Sequence, residues 1–140
     1  AIVDDKSYYT RPEEAERFVE MTGVDALAVA FGTVHGIYFK KPVLDIERLK
    51  DIANATHGVP LVAHGGSGLT EQDYTNSIKA GIKKINYYTG MAVSVAQSIK
   101  EKLAETEEKV FYHNIMMDSI EYICEDISKS MRWFSSSNKA

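Results

Sequence analysis

Short apolar runs alternate with helical signals along this chain, and that alternation constrains the fold more than any other feature. Ala26-Leu27-Ala28-Val29-Ala30-Phe31 is continuously apolar and is closed by Gly32. Such a run, with no polar alternation, reads as a strand buried on both faces, the signature of a parallel sheet. Pro60-Leu61-Val62-Ala63 repeats the pattern, and Lys84-Ile85-Asn86-Tyr87-Tyr88 gives a third short strand. Helix-length segments separate them. Strands joined by single helices imply right-handed crossovers and a parallel α/β sheet.

The helical segments carry their own start and stop signals. Thr10-Arg11-Pro12-Glu13 fits a capping box, with Ala15, Phe18, Val19 and Thr22 at helical spacing and Gly23 as the stop. Asp45 is placed to cap a helix bearing Ile46, Leu49, Ile52 and Ala53 and ended by Gly58. Thr70-Glu71-Gln72-Asp73 is a further N-terminal box, and its helix ends at Gly81. A helix over residues 91–103 turns Val95, Ala96, Ile99 and Leu103 inward, and residues 102–109 form a charged connection. A final helix over residues 111–134 aligns Ile115, Ser119, Ile123, Ile127 and Met131 on one face. Residues 135–140 form a tail.

Composition removes whole classes of function. The chain has 140 residues and a formal net charge of −4, and 44% of it is apolar. That is globular and not disordered. The acidic balance and the lack of a Lys/Arg cluster argue against a nucleic-acid partner. No window approaches the ~18 uncharged apolar residues of a membrane span. Cys124 is the single cysteine, so no intrachain disulfide forms and a reducing cytoplasm is expected. The length is too short for a whole (β/α)₈ barrel of ~250 residues. The chain opens on Ala1 without a Met or a leader pattern. We expect it to be one segment of a larger domain.

Two histidines draw attention by position. His35 follows the first strand and His64 follows the second, each directly before a glycine, Gly36 and Gly65. Parallel strands bring their C-terminal ends to one face, so both imidazoles belong at the same mouth. Two readings stand side by side: ordinary polar loop histidines, or a pair of Zn²⁺ ligands lacking at least one further partner. Residues 64–68, His-Gly-Gly-Ser-Gly, also admit two readings. One is plain turn chemistry. The other is a cradle of backbone N–H groups for a phosphate, helped by the Ser67 hydroxyl and the following helix N-terminus. The third strand ends Asn86-Tyr87-Tyr88-Thr89, adding an amide and hydroxyls. His57 reads as a residue at a helix C-terminus, His113 as a surface residue, Cys124 as core, and Asp4 and Asp5 as solvated carboxylates.

Taken together, the stretches from Tyr8 to Tyr38, Pro60 to Tyr74 and Gly81 to Met91 resemble the C-terminal half of the class II ketose-bisphosphate aldolases, the zinc-dependent fructose-bisphosphate and tagatose-bisphosphate enzymes. The resemblance covers essentially the whole chain. It implies a (β/α)₈ TIM barrel of which residues 1–140 supply the C-terminal part, about three strands plus terminal helices. It implies that His35 and His64 are two zinc ligands. It implies that Gly36, Gly65, Gly66 and Ser67 hold the dihydroxyacetone-phosphate moiety. Asn86, Tyr87, Tyr88 and Thr89 match the segment that holds substrate hydroxyls and the same phosphate. The implied reaction is reversible aldol cleavage of a ketose (bis)phosphate to dihydroxyacetone phosphate and an aldehyde such as glyceraldehyde 3-phosphate. A monovalent cation beside the zinc is left open, and no lysine Schiff base is needed at Lys83 or Lys84. The catalytic aspartate and another zinc histidine belong to the family's N-terminal half, which makes that half the implied partner, within a homo-oligomer (dimer or tetramer).

The chain departs from the family at three places. The N-terminal half is absent. Tyr88 and Gly90 stand where an acid or a small residue is frequent. Asn114 takes the place of an arginine that reaches a distal phosphate. An aldolase for a sugar with a different distal group is therefore a second reading. A diverged phosphate- or metal-binding barrel without aldolase activity is another. A phosphosugar isomerase or synthase on a similar barrel explains the glycine turn but not the histidines.

Overall fold

The computed structural model describes residues 6–33 and 42–139. The chain divides into two compact units, with the boundary along the chain between Tyr87 and Tyr88. Each is described on its own.

The first unit follows the expected alternation. A short 3₁₀ turn, Lys6–Tyr8, leads to α1 (Pro12–Thr22), β1 (Leu27–Ala28), α2 (Ile46–Ala55), β2 (Leu61–Ala63), α3 (Glu71–Lys79) and β3 (Ile82–Ile85). The sheet has order β1-β2-β3 and all its pairs are parallel. Leu27 lies opposite Leu61, and Ala28 opposite Val62. On the other side of β2, Leu61 faces Ile82, Val62 faces Lys84 and Ala63 faces Ile85.

One face of this sheet carries the core. Val29, Phe31, Leu49, Ile52, Leu61, Ala63 and Ile82 form one buried cluster, with Leu27, Ile46 and Ile85 packed against it. The opposite face holds Ala28, Val62 and Lys84, of which Ala28 and Lys84 are exposed. Within the described residues the two faces of β1 differ. Val29 and Phe31 point into the core, while Ala26 and Ala28, on the alternate face, stay exposed. Continuous apolar composition cannot separate the two faces of a strand; only the alternation of large against small side chains does.

The helix boundaries show local chemistry at work. At α3, Thr70 Oγ1 accepts from the Asp73 N–H and Asp73 Oδ2 accepts from the Thr70 N–H at 2.9 Å, the reciprocal box expected from the sequence. Asp45 Oδ1 accepts from the Arg48 N–H at the start of α2. Thr10 does not cap α1. Its Oγ1 accepts from the Ala30 N–H and its own N–H donates to the Ala30 carbonyl, both at 2.9 Å. Pro12 already opens the helix without needing a partner for its nitrogen, which leaves Thr10 to tie the entry segment to the end of the first strand. β3 begins at Ile82, two residues ahead of the expected start. Gly81 makes this possible. Its φ of +128° turns the chain straight from α3 into the strand, and a Cβ there would lie 2.6 Å from the Ala53 Cβ.

The second unit is a pair of helices, α4 (Thr89–Glu105) and α5 (Tyr112–Trp133), packed on each other. Lys102 on α4 donates to Asp118 on α5 at 2.6 Å. Within this unit the apolar face of α5 is covered only in part. Ile115 and Ser119 are half-buried, but Ile123, Ile127 and Met131 are exposed, and Tyr122, Asp126 and Ser130 turn inward instead. Cys124, read as core, is exposed. An apolar stripe at helical spacing marks a surface to be covered; it does not say that this segment covers it. No described helix is long and apolar enough to cross a membrane.

Candidate active site

The site grows from the C-terminal ends of β2 and β3. Parallel pairing continues one step past the strands, where the Asn86 N–H donates to the Ala63 carbonyl at 2.9 Å. That bond sets Asn86 beside His64, the residue after Ala63. The Asn86 side-chain nitrogen lies 2.9 Å from His64 Nε2 and 3.1 Å from Nδ1. Both residues are half-buried.

Lys84 fixes which way the Asn86 amide points. It precedes Asn86 by two residues and its ammonium donates to Asn86 Oδ1. An ammonium can only donate, so the amide oxygen must face it and the NH₂ group must face the imidazole. The imidazole then accepts from the amide through whichever ring nitrogen carries no proton.

The glycine turn follows directly. Gly65 and Gly68 adopt φ of +67° and +93°, where a side chain is strained. Gly66 is hemmed in: a Cβ there would meet the Ile85 side chain at 3.3 Å, the Asn86 carbonyl at 3.5 Å and the Tyr74 ring at 3.5 Å. The Gly66 carbonyl accepts from the Leu69 N–H at 3.3 Å and from the Tyr74 hydroxyl. Ser67 is buried, at 8% exposure. Glycine-rich turns ahead of a helix N-terminus, such as this one ahead of α3, are the composition from which anion-binding nests of backbone donors are built.

Of the residues singled out in the sequence, the structure brings together His64, Gly65, Gly66, Ser67 and Asn86. Tyr87 follows at the edge of the first unit and is half-buried. Tyr88 and Thr89 fall in the second unit, where Tyr88 is 69% exposed just ahead of α4 and Thr89 is its first residue. His35 and Gly36 lie outside the described residues. Two residues were missed. Lys84 reads from the sequence as the start of a strand and as a lysine for which no Schiff base is needed, yet its spacing of two from Asn86 puts both on one side of an extended chain. Tyr74, in the first turn of α3, carries no sequence signal for its bond to the Gly66 carbonyl.

The donor set fits zinc in part. His64 supplies one half-buried imidazole at a strand end, which suits Zn²⁺ once its unprotonated nitrogen, here accepting from Asn86, is given to the metal instead. Among the described residues, no group of three or more His, Cys, Asp or Glu converges on it or anywhere else.

Residues 1–139 match the family described as fructose-bisphosphate aldolase class-II. The chain belongs to this family. Among solved structures, the YdjI aldolase from Escherichia coli K12 is 35% identical, with a TM-score of 0.82 over 94% of this chain and 48% of that one. A putative fructose-1,6-biphosphate aldolase from Coccidioides immitis is 31% identical, with a TM-score of 0.79 over 94% of this chain and 45% of that one. The fructose-bisphosphate aldolase of Campylobacter jejuni shares the fold at 23% identity, with a TM-score of 0.79 and 49% of its chain covered. This class II aldolase chain thus spans about half the length of the structures it matches. Its parallel sheet and helices are the C-terminal part of a (β/α)₈ barrel.

Proposed function

We propose that the complete protein is a zinc-dependent class II aldolase. It reversibly cleaves a ketose (bis)phosphate to dihydroxyacetone phosphate and an aldehyde, and this chain is the C-terminal segment of its single barrel domain. The observation that carries this reading is the junction of His64, Asn86 and the glycine turn at the ends of two adjacent parallel strands. Family membership supports it. In this reading His64 and His35 hold zinc, which when bound supplies Lewis acidity toward the substrate ketone.

The chain's own residues bind and orient. The backbone N–H groups of Gly65, Gly66 and Ser67, with the Ser67 hydroxyl and Gly36, grip the phosphate of the three-carbon fragment. Asn86 holds a substrate hydroxyl, a role the resemblance also assigns to Tyr87, Tyr88 and Thr89. The proton that the aldehyde side loses on cleavage goes to an aspartate of the N-terminal half. No residue of this chain takes that part.

The test is release of dihydroxyacetone phosphate from fructose and tagatose bisphosphates by the complete protein. Release that stops with a strong chelator and returns with zinc supports the reading. Undiminished turnover in the chelator removes the metal from it.

One observation favours a narrower version. Asn114, at the position where the family often carries arginine, uses its Oδ1 to accept from the Phe111 N–H at 3.3 Å and so caps the start of α5. A short capping amide is a weak partner for a distal phosphate. A substrate whose far end carries no phosphate fits this chain better than a bisphosphate. Comparing turnover of the bisphosphate with that of the ketose 1-phosphate decides between them. The cytoplasm, a homo-oligomeric assembly and a place in carbohydrate metabolism go with the proposal.

A further inference from the structure

The Gly66 carbonyl is held from behind by a side chain that the aldolase reading does not use. Tyr74 is 2% exposed, and its hydroxyl donates to that carbonyl. The same oxygen accepts from the Leu69 N–H. Its direction is therefore fixed by two donors, both on the α3 side of the turn. Across a planar trans peptide the carbonyl and the next N–H point in opposite directions. Anchoring the Gly66 oxygen toward α3 thus turns the Ser67 N–H away from α3.

Tyr74 is itself rigidly placed. Its N–H donates to the Thr70 carbonyl at 3.1 Å, in the first turn of α3. That turn is closed by the Thr70–Asp73 box. A second fixed point lies on the other side of the turn, where the space beside Gly66 is bounded by Ile85 and the Asn86 carbonyl. The turn is pressed between a helix and a strand end. Two-sided restraint of this kind sets a backbone donor before a ligand arrives, and such preorganisation strengthens binding by removing an ordering cost.

We propose that Tyr74 is a positioning residue that holds residues 65–67 in a phosphate-binding conformation. The ligand class is the phosphate monoester of a small ketose fragment, so the proposal rests on the aldolase reading. The Tyr74 hydroxyl does not touch the ligand. It acts through the Gly66–Ser67 peptide.

The experiment uses the complete zinc-loaded protein, wild type and Tyr74→Phe. Turnover of the wild type is recorded first. Calorimetry then gives Kd for dihydroxyacetone phosphate, inorganic phosphate and unphosphorylated dihydroxyacetone. Removing one neutral hydrogen bond should weaken both phosphate probes about fivefold to tenfold. Dihydroxyacetone should bind as before, with kcat little changed and KM raised. The ring is kept and Gly66 retains the Leu69 donor, so the thermal midpoint should move little.

Unchanged phosphate affinity in an active enzyme overturns the role of Tyr74 and leaves the aldolase reading standing. Equal weakening of all three probes also overturns it, because that is general damage to the site. A wild type that neither turns over nor binds dihydroxyacetone phosphate refutes the aldolase reading, and this proposal with it. If Tyr74→Phe does not fold, amide exchange in the wild type decides. Slow exchange at Leu69, whose N–H bonds the Gly66 carbonyl, before any ligand is added supports a preset turn, and protection there that appears only with dihydroxyacetone phosphate overturns it.

Discussion

The side-chain nitrogen of Asn86 lies 2.9 Å from Nε2 of His64, held there because Lys84 engages the amide oxygen. Two adjacent strand ends thus deliver a proposed metal ligand and a proposed substrate-orienting amide side by side, and the hydrogen bond between them gives way when a metal takes the imidazole's one free lone pair. The strand pairing that sets them there is the Asn86 N–H bond to Ala63.

Replacing Lys84 with Met should loosen the Asn86 amide without removing any residue proposed to touch metal or substrate. The amide then has no charged donor fixing its oxygen and is free to rotate. We expect kcat/KM of the complete enzyme to fall about tenfold, the scale of one charge-assisted hydrogen bond. Zinc content should stay at the wild-type level. Steady-state kinetics with metal analysis check both.

Gly81→Ala should be among the most damaging single-methyl changes in the first unit. The φ of +128° is strained for any side chain, and the new Cβ would lie 2.6 Å from that of Ala53. A loss of about 2–4 kcal/mol is expected from strain and overpacking together. Denaturant unfolding of the complete protein gives the number.

Leu49 is fully buried within the core cluster between α2 and the sheet. Leu49→Ala should cost about 2–5 kcal/mol through lost transfer energy and the cavity left behind. The same unfolding assay measures it, and metal affinity of the folded fraction should be unaltered.

The Lys102–Asp118 pair between α4 and α5 carries a pH signature. The hydrogen bond to Asp118 first, and its charge in addition, hold the Lys102 ammonium above the ordinary lysine value of 10.5. A raised folded-state value contributes stability that is fully present below 10.5 and is lost as pH rises through the folded value. Lys102→Met should therefore lower the thermal midpoint slightly at neutral pH, with the gap closing in strong alkali. Added salt should narrow it too, since the pair is solvent-facing.

Much of the first unit was legible in the sequence because its signals are local. The Thr70 box, the Asp45 cap and the run from Leu61 to Ala63 each state their structure within a few residues. The glycine turn next to His64 was legible for the same reason. What was not legible depends on partners far along the chain. Thr10 looks like a cap until Ala30 is seen to take its hydroxyl. The open side of β1 and the exposed Ile123, Ile127 and Met131 follow from what packs on an element, which apolar content does not encode. Tyr74 and Lys84 bond to Gly66 and Asn86, eight and two residues away, so here the partners are near in sequence but spacing does not say which carbonyl or amide the side chain meets. Their importance is invisible until the fold sets those groups within reach.

The central claim is that His64 binds the catalytic metal at the strand-end junction. Metal analysis of the complete protein, wild type against His64→Ala after dialysis against a weak chelator, tests it most directly. The account predicts that the wild type retains zinc and that the variant loses it while keeping its helical and sheet content. Equal zinc in the two proteins would contradict it.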